Sequence, residues 1–224
     1  MLQVRNLTRR FGDKTAVDSV TFDIPSGQMT GFVGANGAGK TTTMRMIMGV
    51  LSTTAGEILL DGEPLTAEAR SSFGYMPEER GLYPKQPILD QLVYLGQLHR
   101  MSGPAARKGA IELLERFGLG GRTKDKLESL SLGNQQRVQI AASLLHKPTV
   151  LILDEPFSGL DPVAVDSMVE LLRERTSAGV PVLFSSHQLD LVDRLCDNMV
   201  VLQQGKVIAS GTGDDLRAKA VNRH

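Results

Sequence analysis

The sequence has 224 residues, enough for one large domain or two small ones with a sizeable core. Its 25 basic and 25 acidic residues balance, which argues against a strongly basic nucleic-acid-binding protein and against an acidic tail. No apolar run approaches the roughly 18 residues needed to cross a bilayer. The single cysteine, Cys196, cannot form an internal disulfide and suits a reducing compartment.

Short β-rich runs alternate with helical patterns along most of the chain. The first thirty residues and the run from Gly56 to Asp61 predict short strands joined by turns. GQMTGFVG predicts a strand and TTTMRMIMGVL a helix, and TVLIL, PVAVDSMVELLRERTSAG and VPVLFSSH then predict strand, helix and strand. VVLQQGKVIASG predicts a hairpin that turns at Gln204-Gly205. This order is typical of βαβ units on a parallel sheet, and therefore of an α/β fold.

Strand patterns are missing between about Lys85 and Lys147, where helical patterns take over. Pro87 and Pro104 lie near predicted helix starts, and Gly118 follows ELLERF as a stop. We interpret residues 85–147 as an inserted α-helical subdomain, and residues 1–84 together with 148–224 as the sheet-containing remainder of one domain.

The most specific motif is GANGAGKT, which follows a predicted strand and opens a predicted helix, the context that a phosphate loop requires. Glycines let backbone N–H groups converge on phosphate oxygens, the lysine places a charge on the β- and γ-phosphates, and the first threonine can bind Mg²⁺. The next threonine is expected to contact the α-phosphate. The predicted ATP-binding residues here are Gly34, Asn36, Gly37, Ala38, Gly39, Lys40, Thr41 and Thr42.

Asp154 and Glu155 follow the buried strand TVLIL, and His187 follows VPVLFSS. Two adjacent acids after a strand often only cap a helix, but a phosphate loop upstream favours Asp154 as a metal ligand and Glu155 as the group that orients water. A lone histidine is often structural. At the carboxyl end of a parallel strand, however, His187 lies where such sheets bind ligands.

The stretch LSLGNQQRV combines a hydroxyl, a glycine and amides at a predicted helix start. Ser131 is a good N-cap residue, and the stretch could be no more than a capped helix. A helix start with free N–H groups is also one half of an anion site. Both interpretations stay open on the residues of this stretch alone.

Together these motifs resemble the nucleotide-binding domains of ATP-binding cassette (ABC) transporters, from Leu2 to about Leu216. The resemblance implies a P-loop NTPase fold with a RecA-like parallel-sheet core, an N-terminal antiparallel β subdomain and the inserted helical subdomain. LSLGN stands at the position of the family's LSGGQ signature, which closes over ATP held by a second subunit. Ser131, Gly133 and Asn134 would then bind in trans.

Other residues carry over by the same resemblance. Phe11, in RRFGDKTAVDSV, stands where the family stacks an aromatic ring on adenine, although it could also be a core phenylalanine. Asp161, in SGLDP, resembles the D-loop residue at the dimer interface, although Asp before Pro also caps helices. His187 resembles the switch histidine, so the implied catalytic set is Lys40, Glu155 and His187.

Three positions depart from the family pattern. Leu132 replaces a signature glycine and Asn134 its glutamine, while Glu78, in GYMPEERGLYP, stands where the family usually has the Q-loop glutamine. A carboxylate at 78 could still meet Mg²⁺, so the implied metal ligands are Thr41, Asp154 and Glu78. The sequences of these motifs resemble those of the ATPase subunits of ABC-2-type exporters, including the sodium-efflux-like branch. Many of those relatives continue into a C-terminal domain, whereas this sequence stops at His224.

The leading hypothesis is therefore a Mg²⁺-dependent ATPase, with ATP and Mg²⁺ as ligands, that dimerises around two ATP molecules. It would drive a separate membrane permease from the cytoplasmic face of the cell membrane, as a homodimer or heterodimer of such domains, without nucleic acid as a partner. The alternative is a soluble ABC ATPase that acts on ribosomes or nucleic acid. A P-loop kinase is a third possibility, but it would have no use for the signature.

Overall fold

The computed structural model describes residues 1–79 and 81–221. Arg80, in the stretch GYMPEERGLYP, and residues 222–224, at the end of the predicted sheet-containing part, lie outside the described residues. The strands are β1 (Leu2–Phe11), β2 (Lys14–Ile24), β3 (Met29–Val33), β4 (Ala55–Leu60), β5 (Glu63–Pro64), β6 (Phe73–Met76), β7 (Val150–Leu153), β8 (Val182–Ser186), β9 (Asn198–Gln203) and β10 (Lys206–Gly211). The α-helices are α1 (Lys40–Ile47), α2 (Ala67–Arg70), α3 (Ile88–Leu98), α4 (Gly103–Arg116), α5 (Leu132–Leu144), α6 (Pro162–Ser177), α7 (Leu189–Leu195) and α8 (Gly213–Val221).

Two sheets form the α/β fold. The first is antiparallel, in the order β2-β1-β4-β5. Its strands β1, β2 and β4 lie in the N-terminal runs that the sequence predicts as strands, whereas β5 was not predicted. The second has the order β10-β9-β3-β8-β7-β6, and all its pairs are parallel except β9 with β10. The predicted parallel sheet and the C-terminal hairpin are thus confirmed.

The inner strands β3, β7 and β8 of the central sheet are buried on both faces, and most of their side chains are apolar. In β7, Leu151 and Leu153 pack into one core cluster, whereas Val150 and Ile152 pack into the other. This alternation follows from the two-residue period of a strand. One cluster contains the helices between β6 and β7 together with α6, and the other contains α1 and the antiparallel sheet.

The segment between β6 and β7 is helical, as the sequence predicts. Pro87 is the N-cap of α3, Pro104 lies in the first turn of α4, and Gly118 adopts a φ of 71° just beyond the end of α4. Two short 3₁₀ turns precede α5. The division at residues 85 and 147 stays an interpretation of the sequence.

Some elements were not predicted. The strand β6 and the short helices α2, α7 and α8 carry weaker patterns than the elements around them. Across residues 1–79 and 81–221, none of the helices has the length and apolar character that a membrane-spanning helix requires.

Candidate nucleotide-binding site

Four neighbouring strands, β3, β8, β7 and β6, run parallel and end at one edge of the central sheet. The phosphate loop, residues 34–41, follows β3, while Asp154 and Glu155 follow β7. His187 follows β8, and Glu78 lies two residues after β6. The topology therefore brings motifs that are far apart in the sequence to the place where open α/β sheets bind ligands.

The phosphate loop turns into α1 at Gly39. This residue is the N-cap of the helix and adopts a φ of 105°, which favours glycine. A Cβ atom at position 39 would lie 2.9 Å from the backbone oxygen of Ala16. The first N–H groups of an α-helix have no acceptor within the helix, and this end carries about half a positive charge. The start of α1 is therefore suited to bind an anion.

Lys40 places a buried cation at the base of the loop. Its side-chain Nζ donates to the backbone oxygen of Gly34 at 2.6 Å and lies 3.7 Å from Oε1 of Glu155. The lysine is only 6% exposed. A second, longer hydrogen bond of 3.4 Å runs from Nζ to the backbone oxygen of Ala35. A buried ammonium group held by two carbonyls and one carboxylate offers a point charge to phosphate oxygens.

Asp154 is the most deeply buried carboxylate of the site, with 1% of its surface exposed. Its Oδ1 accepts a hydrogen bond from Oγ of Ser185, but its buried Oδ2 has no hydrogen-bond partner within the described residues. An unpaired carboxylate oxygen away from water is costly unless it meets a cation. Burial, and then the Asp154 carboxylate, raise the pKa of the Tyr75 phenol on β6, so this neighbour stays uncharged.

The Glu78 carboxylate faces the phosphate loop. Its Oε2 lies 3.5 Å from Oγ1 of Thr41, and both residues line one cavity with Asp154. Across residues 1–79 and 81–221, no three His, Cys, Asp or Glu side chains converge as a ready metal site. Two carboxylates and a hydroxyl nevertheless suit Mg²⁺, which usually takes one or two carboxylates and completes its shell with water and phosphate. The donors at this edge therefore fit the ion that the sequence predicts.

Glu155 is held in an unusual backbone conformation. Its φ of 50° lies in the left-handed region, which costs a non-glycine residue about 1–3 kcal/mol. Its N–H donates to Oγ of Ser185 at 2.8 Å, and Oε2 of its side chain lies 3.0 Å from Nδ1 of His187. The largely buried carboxylate thus lies between Lys40 and the half-exposed imidazole.

A cavity of about 610 Å³ lies at this edge of the sheet, and the predicted His187 is not among the residues that line it. Its lining includes every residue predicted to bind ATP except Gly34, together with Glu78, Asp154 and Glu155. Phe11 lines the cavity, is 47% exposed and is therefore not a core residue. The guanidinium carbon of Arg9 lies 4.6 Å from the centre of the Phe11 ring. The lining residues that the sequence did not predict are Lys14, Thr15, Ala16 and Gln204.

The signature residues lie at the start of α5. Ser131 is its N-cap and accepts a hydrogen bond from the N–H of Asn134 at 3.4 Å, as expected for a capping serine. A Cβ atom on Gly133 would lie 3.3 Å from the backbone oxygen of Gly159. Asp161 caps α6 and lies 3.6 Å from Arg137. These predicted residues are not among those that line the cavity of this chain, and their contact with a second subunit stays a prediction.

Three polar residues with contacts to the site were missed by sequence reasoning. Ser185, fully buried on β8, bridges Asp154 and the backbone of Glu155. Gln136 and Gln139, on α5, bond to the loops that carry Glu155 and Glu78. Their common signal is a polar side chain at a position that the apolar pattern assigns to the core.

Comparison with known proteins gives the same family as the motifs. The ABC transporter family model matches residues 17–158. The uncharacterized ABC transporter ATP-binding protein YhaQ of Bacillus subtilis is 50% identical over 94% of this chain and 71% of its own length. The linearmycin resistance ATP-binding protein LnrL of Bacillus subtilis is 38% identical over 96% of this chain and 70% of its own. The Nod factor export ATP-binding protein I of Burkholderia lata is 38% identical over 94% and 70%.

Solved structures agree with this fold. The structure of an ATP-binding subunit of an ABC transporter superposes with a TM-score of 0.90 at 32% identity, covering 99% of this chain and 93% of that one. The dimeric structure of MJ0796, a bacterial ABC transporter cassette, gives a TM-score of 0.84 at 26% identity over 95% of this chain and 98% of that one. The chain therefore belongs to the ABC transporter family, as one of its ATP-binding subunits.

Proposed function

We propose that this subunit is a Mg²⁺-dependent ATPase that drives a separate membrane permease, of the ABC-2 exporter type. The observation that carries the ATPase assignment is the buried Oδ2 of Asp154 beside the phosphate loop, which has no hydrogen-bond partner within residues 1–79 and 81–221. A metal–triphosphate complex supplies the cation that this oxygen lacks and the anion that suits the start of α1.

The reaction is attack of water on the γ-phosphorus of ATP, which breaks the bond to the β-phosphate oxygen and releases ADP and phosphate. Mg²⁺, when bound, neutralises charge on the β- and γ-phosphates, and Thr41, Asp154 and Glu78 are its proposed ligands. Lys40 stabilises the same phosphates. Glu155 orients the attacking water and accepts its proton, and His187, 3.0 Å from Glu155, holds that carboxylate in place.

We further propose that two such subunits, identical or not, close around two ATP molecules. The signature of each, with Ser131, Gly133 and Asn134, would face the phosphate loop of the other, and Asp161 would lie at their interface. A relative of the same fold is described as dimeric. Because a γ-phosphate adds charge that a helix start can bind, ATP favours closure more than ADP does.

Transport coupling is supported by the relatives, two of which are named for linearmycin resistance and for Nod factor export. On this proposal the subunit lies on the cytoplasmic face of the membrane, bound to its permease, and residues 85–147 form the helical subdomain. Affinity purification of the tagged chain from its native host, after detergent extraction, should yield a multispanning membrane protein. Recovery of ribosomes or nucleic acid instead would favour the non-transport ATPase.

Replacing Glu155 tests the hydrolytic site. Glu155→Gln should bind ATP but hydrolyse it about 10²- to 10⁴-fold more slowly, because the amide cannot accept the proton of water. Nucleotide titration and phosphate release measure the two effects separately. Glu170→Gln, which changes an exposed carboxylate on α6, is the matched control and should keep full activity. Near-normal turnover of Glu155→Gln would remove the residue from this role.

Glu78 can be tested through the dependence of activity on Mg²⁺. Glu78→Gln keeps an oxygen ligand and should be tolerated, whereas Glu78→Ala should raise the Mg²⁺ concentration for half-maximal ATPase activity by about 10- to 100-fold, as for loss of a group that supports a metal. The control is Glu79→Ala, because that neighbouring carboxylate is exposed and pairs with Arg45. An unchanged Mg²⁺ requirement in Glu78→Ala would contradict the assignment.

Ser131→Asp separates the cap from the proposed contact in trans. Aspartate caps a helix as well as serine does, so thermal stability should be retained. A carboxylate opposite a γ-phosphate is repelled, so ATP-dependent dimerisation and hydrolysis should be lost. Ser102→Asp, at the matching N-cap of α4, should keep both properties. If Ser131→Asp also kept full activity, the serine would be a helix cap only.

A further inference from the structure

Two buried glutamines connect the signature helix to both loops that carry carboxylates into the cavity. Gln136 and Gln139 are three residues apart on α5, so they lie on the same face of the helix. They are 8% and 5% exposed, respectively. Their positions lie in the apolar region of the molecule, where a polar side chain needs a specific partner.

The amide group of Gln136 holds the loop after β7. Its Nε2 donates to the backbone oxygens of Glu155, at 3.1 Å, and Pro156, at 3.0 Å. The backbone N–H of Glu155 also donates a hydrogen bond to Oγ of Ser185 on β8. The backbone of Glu155, with its left-handed φ, is thus fixed from the helix and from the sheet.

Gln139 makes the equivalent contact with the loop after β6. Its Nε2 donates to the backbone oxygens of Pro77 and Glu79, both at 3.2 Å. These two residues flank Glu78, whose carboxylate lies beside Thr41. Each glutamine therefore donates both N–H groups of its side-chain amide to two carbonyls of one loop.

We propose that Gln136 and Gln139 are positioning residues. They hold the Glu155 and Glu78 carboxylates at fixed positions relative to the start of α5. This inference rests on the proposed function, because it assigns the two residues to the hydrolysis carried out there. A helix is a rigid element, so a displacement of its N-terminus by a nucleotide moves both loops together. Gln136 acts through Glu155 on the water, and Gln139 acts through Glu78 on the Mg²⁺ requirement.

Replacing each glutamine by glutamate tests this positioning, because the two side chains have nearly the same shape. A carboxylate has no proton to donate, so at neutral pH its oxygens repel the carbonyls that the amide had bonded. The matched control is Gln91→Glu. Gln91, on α3, is equally buried, and its Nε2 donates to the backbone oxygens of Tyr83 and Gln86, away from the cavity.

The two variants should fail in different ways. Gln136→Glu should lower kcat by about 10²-fold, as a misplacement of roughly 1 Å does, while the KM for ATP changes little. Gln139→Glu should instead raise the Mg²⁺ concentration for half-maximal activity. Gln91→Glu should lower the melting temperature as much as Gln136→Glu and Gln139→Glu do. Its kcat and its Mg²⁺ requirement should stay those of the parent protein. Kinetic constants equal to those of Gln91→Glu would overturn the positioning role.

A double variant shows whether Gln136 acts through Glu155. In the Glu155→Gln background, the Gln136→Glu change should cause no further loss of residual hydrolysis, measured as single turnovers with excess protein. A further loss of the same size as in the parent would overturn the inference. If Gln136→Glu does not fold, Gln136→Met carries the same test, since it lacks both the donors and the charge.

Failure of this inference differs from failure of the proposed function. If Glu155→Gln alone hydrolyses ATP like the parent, the role of Glu155 in the proposed function falls. If Glu155→Gln is nearly inactive while Gln136→Glu and Gln136→Met keep the kcat of Gln91→Glu, the positioning role alone falls.

Discussion

Parallel pairing of β3, β8, β7 and β6 is the constraint on which the site depends. Parallel strands in register end together, so each residue that follows a strand end lies at the same edge of the sheet. Three motifs separated by as many as about 120 positions of sequence thereby line one cavity, and His187 contacts the Glu155 carboxylate beside it. Helices cover one face of the sheet, and α1 together with the antiparallel sheet covers the other, which explains why the inner strands are mostly apolar on both sides.

The charges around this cavity are unbalanced before any ligand binds. The lining carries two cations, the buried Lys40 and the exposed Lys14, and three carboxylates, Asp154, Glu155 and Glu78. Two unit charges at 4 Å interact by about 4 kcal/mol at the effective dielectric of a protein surface, so a triphosphate would be repelled without further compensation. The start of α1 supplies part of that compensation and a divalent cation the rest. We infer that the carboxylate at position 78 makes the proposed site more dependent on its metal than an amide there would.

The sequence predicted the parts of the molecule whose signal is local. The phosphate loop, the acids after β7 and the cap at Ser131 each combine a short motif with an adjacent strand or helix, and their positions in the fold agree with the prediction. Contacts made across the fold could not be predicted. Ser185 reaches Asp154 from a neighbouring strand, and no spacing in the sequence pairs them. Gln139 bonds to residues some sixty positions away, and the turn at Gln204 enters the cavity only because β9 lies beside β3.

The helix α5 shows why buried polar residues need their own explanation. Burying an amide side chain gains little stability even when it is fully hydrogen-bonded, whereas an apolar side chain of similar volume would pack there favourably. Gln136 and Gln139 lie within one turn, and each bonds to two carbonyls of a different loop. A role in positioning these loops therefore explains them better than a contribution to the stability of the fold. The loops also contain a strained residue, Glu155, which keeps its conformation only where its neighbours over-determine it. On the proposed function, a helix that begins at the signature and bonds to both loops couples nucleotide binding at its N-terminus to the placement of the carboxylates.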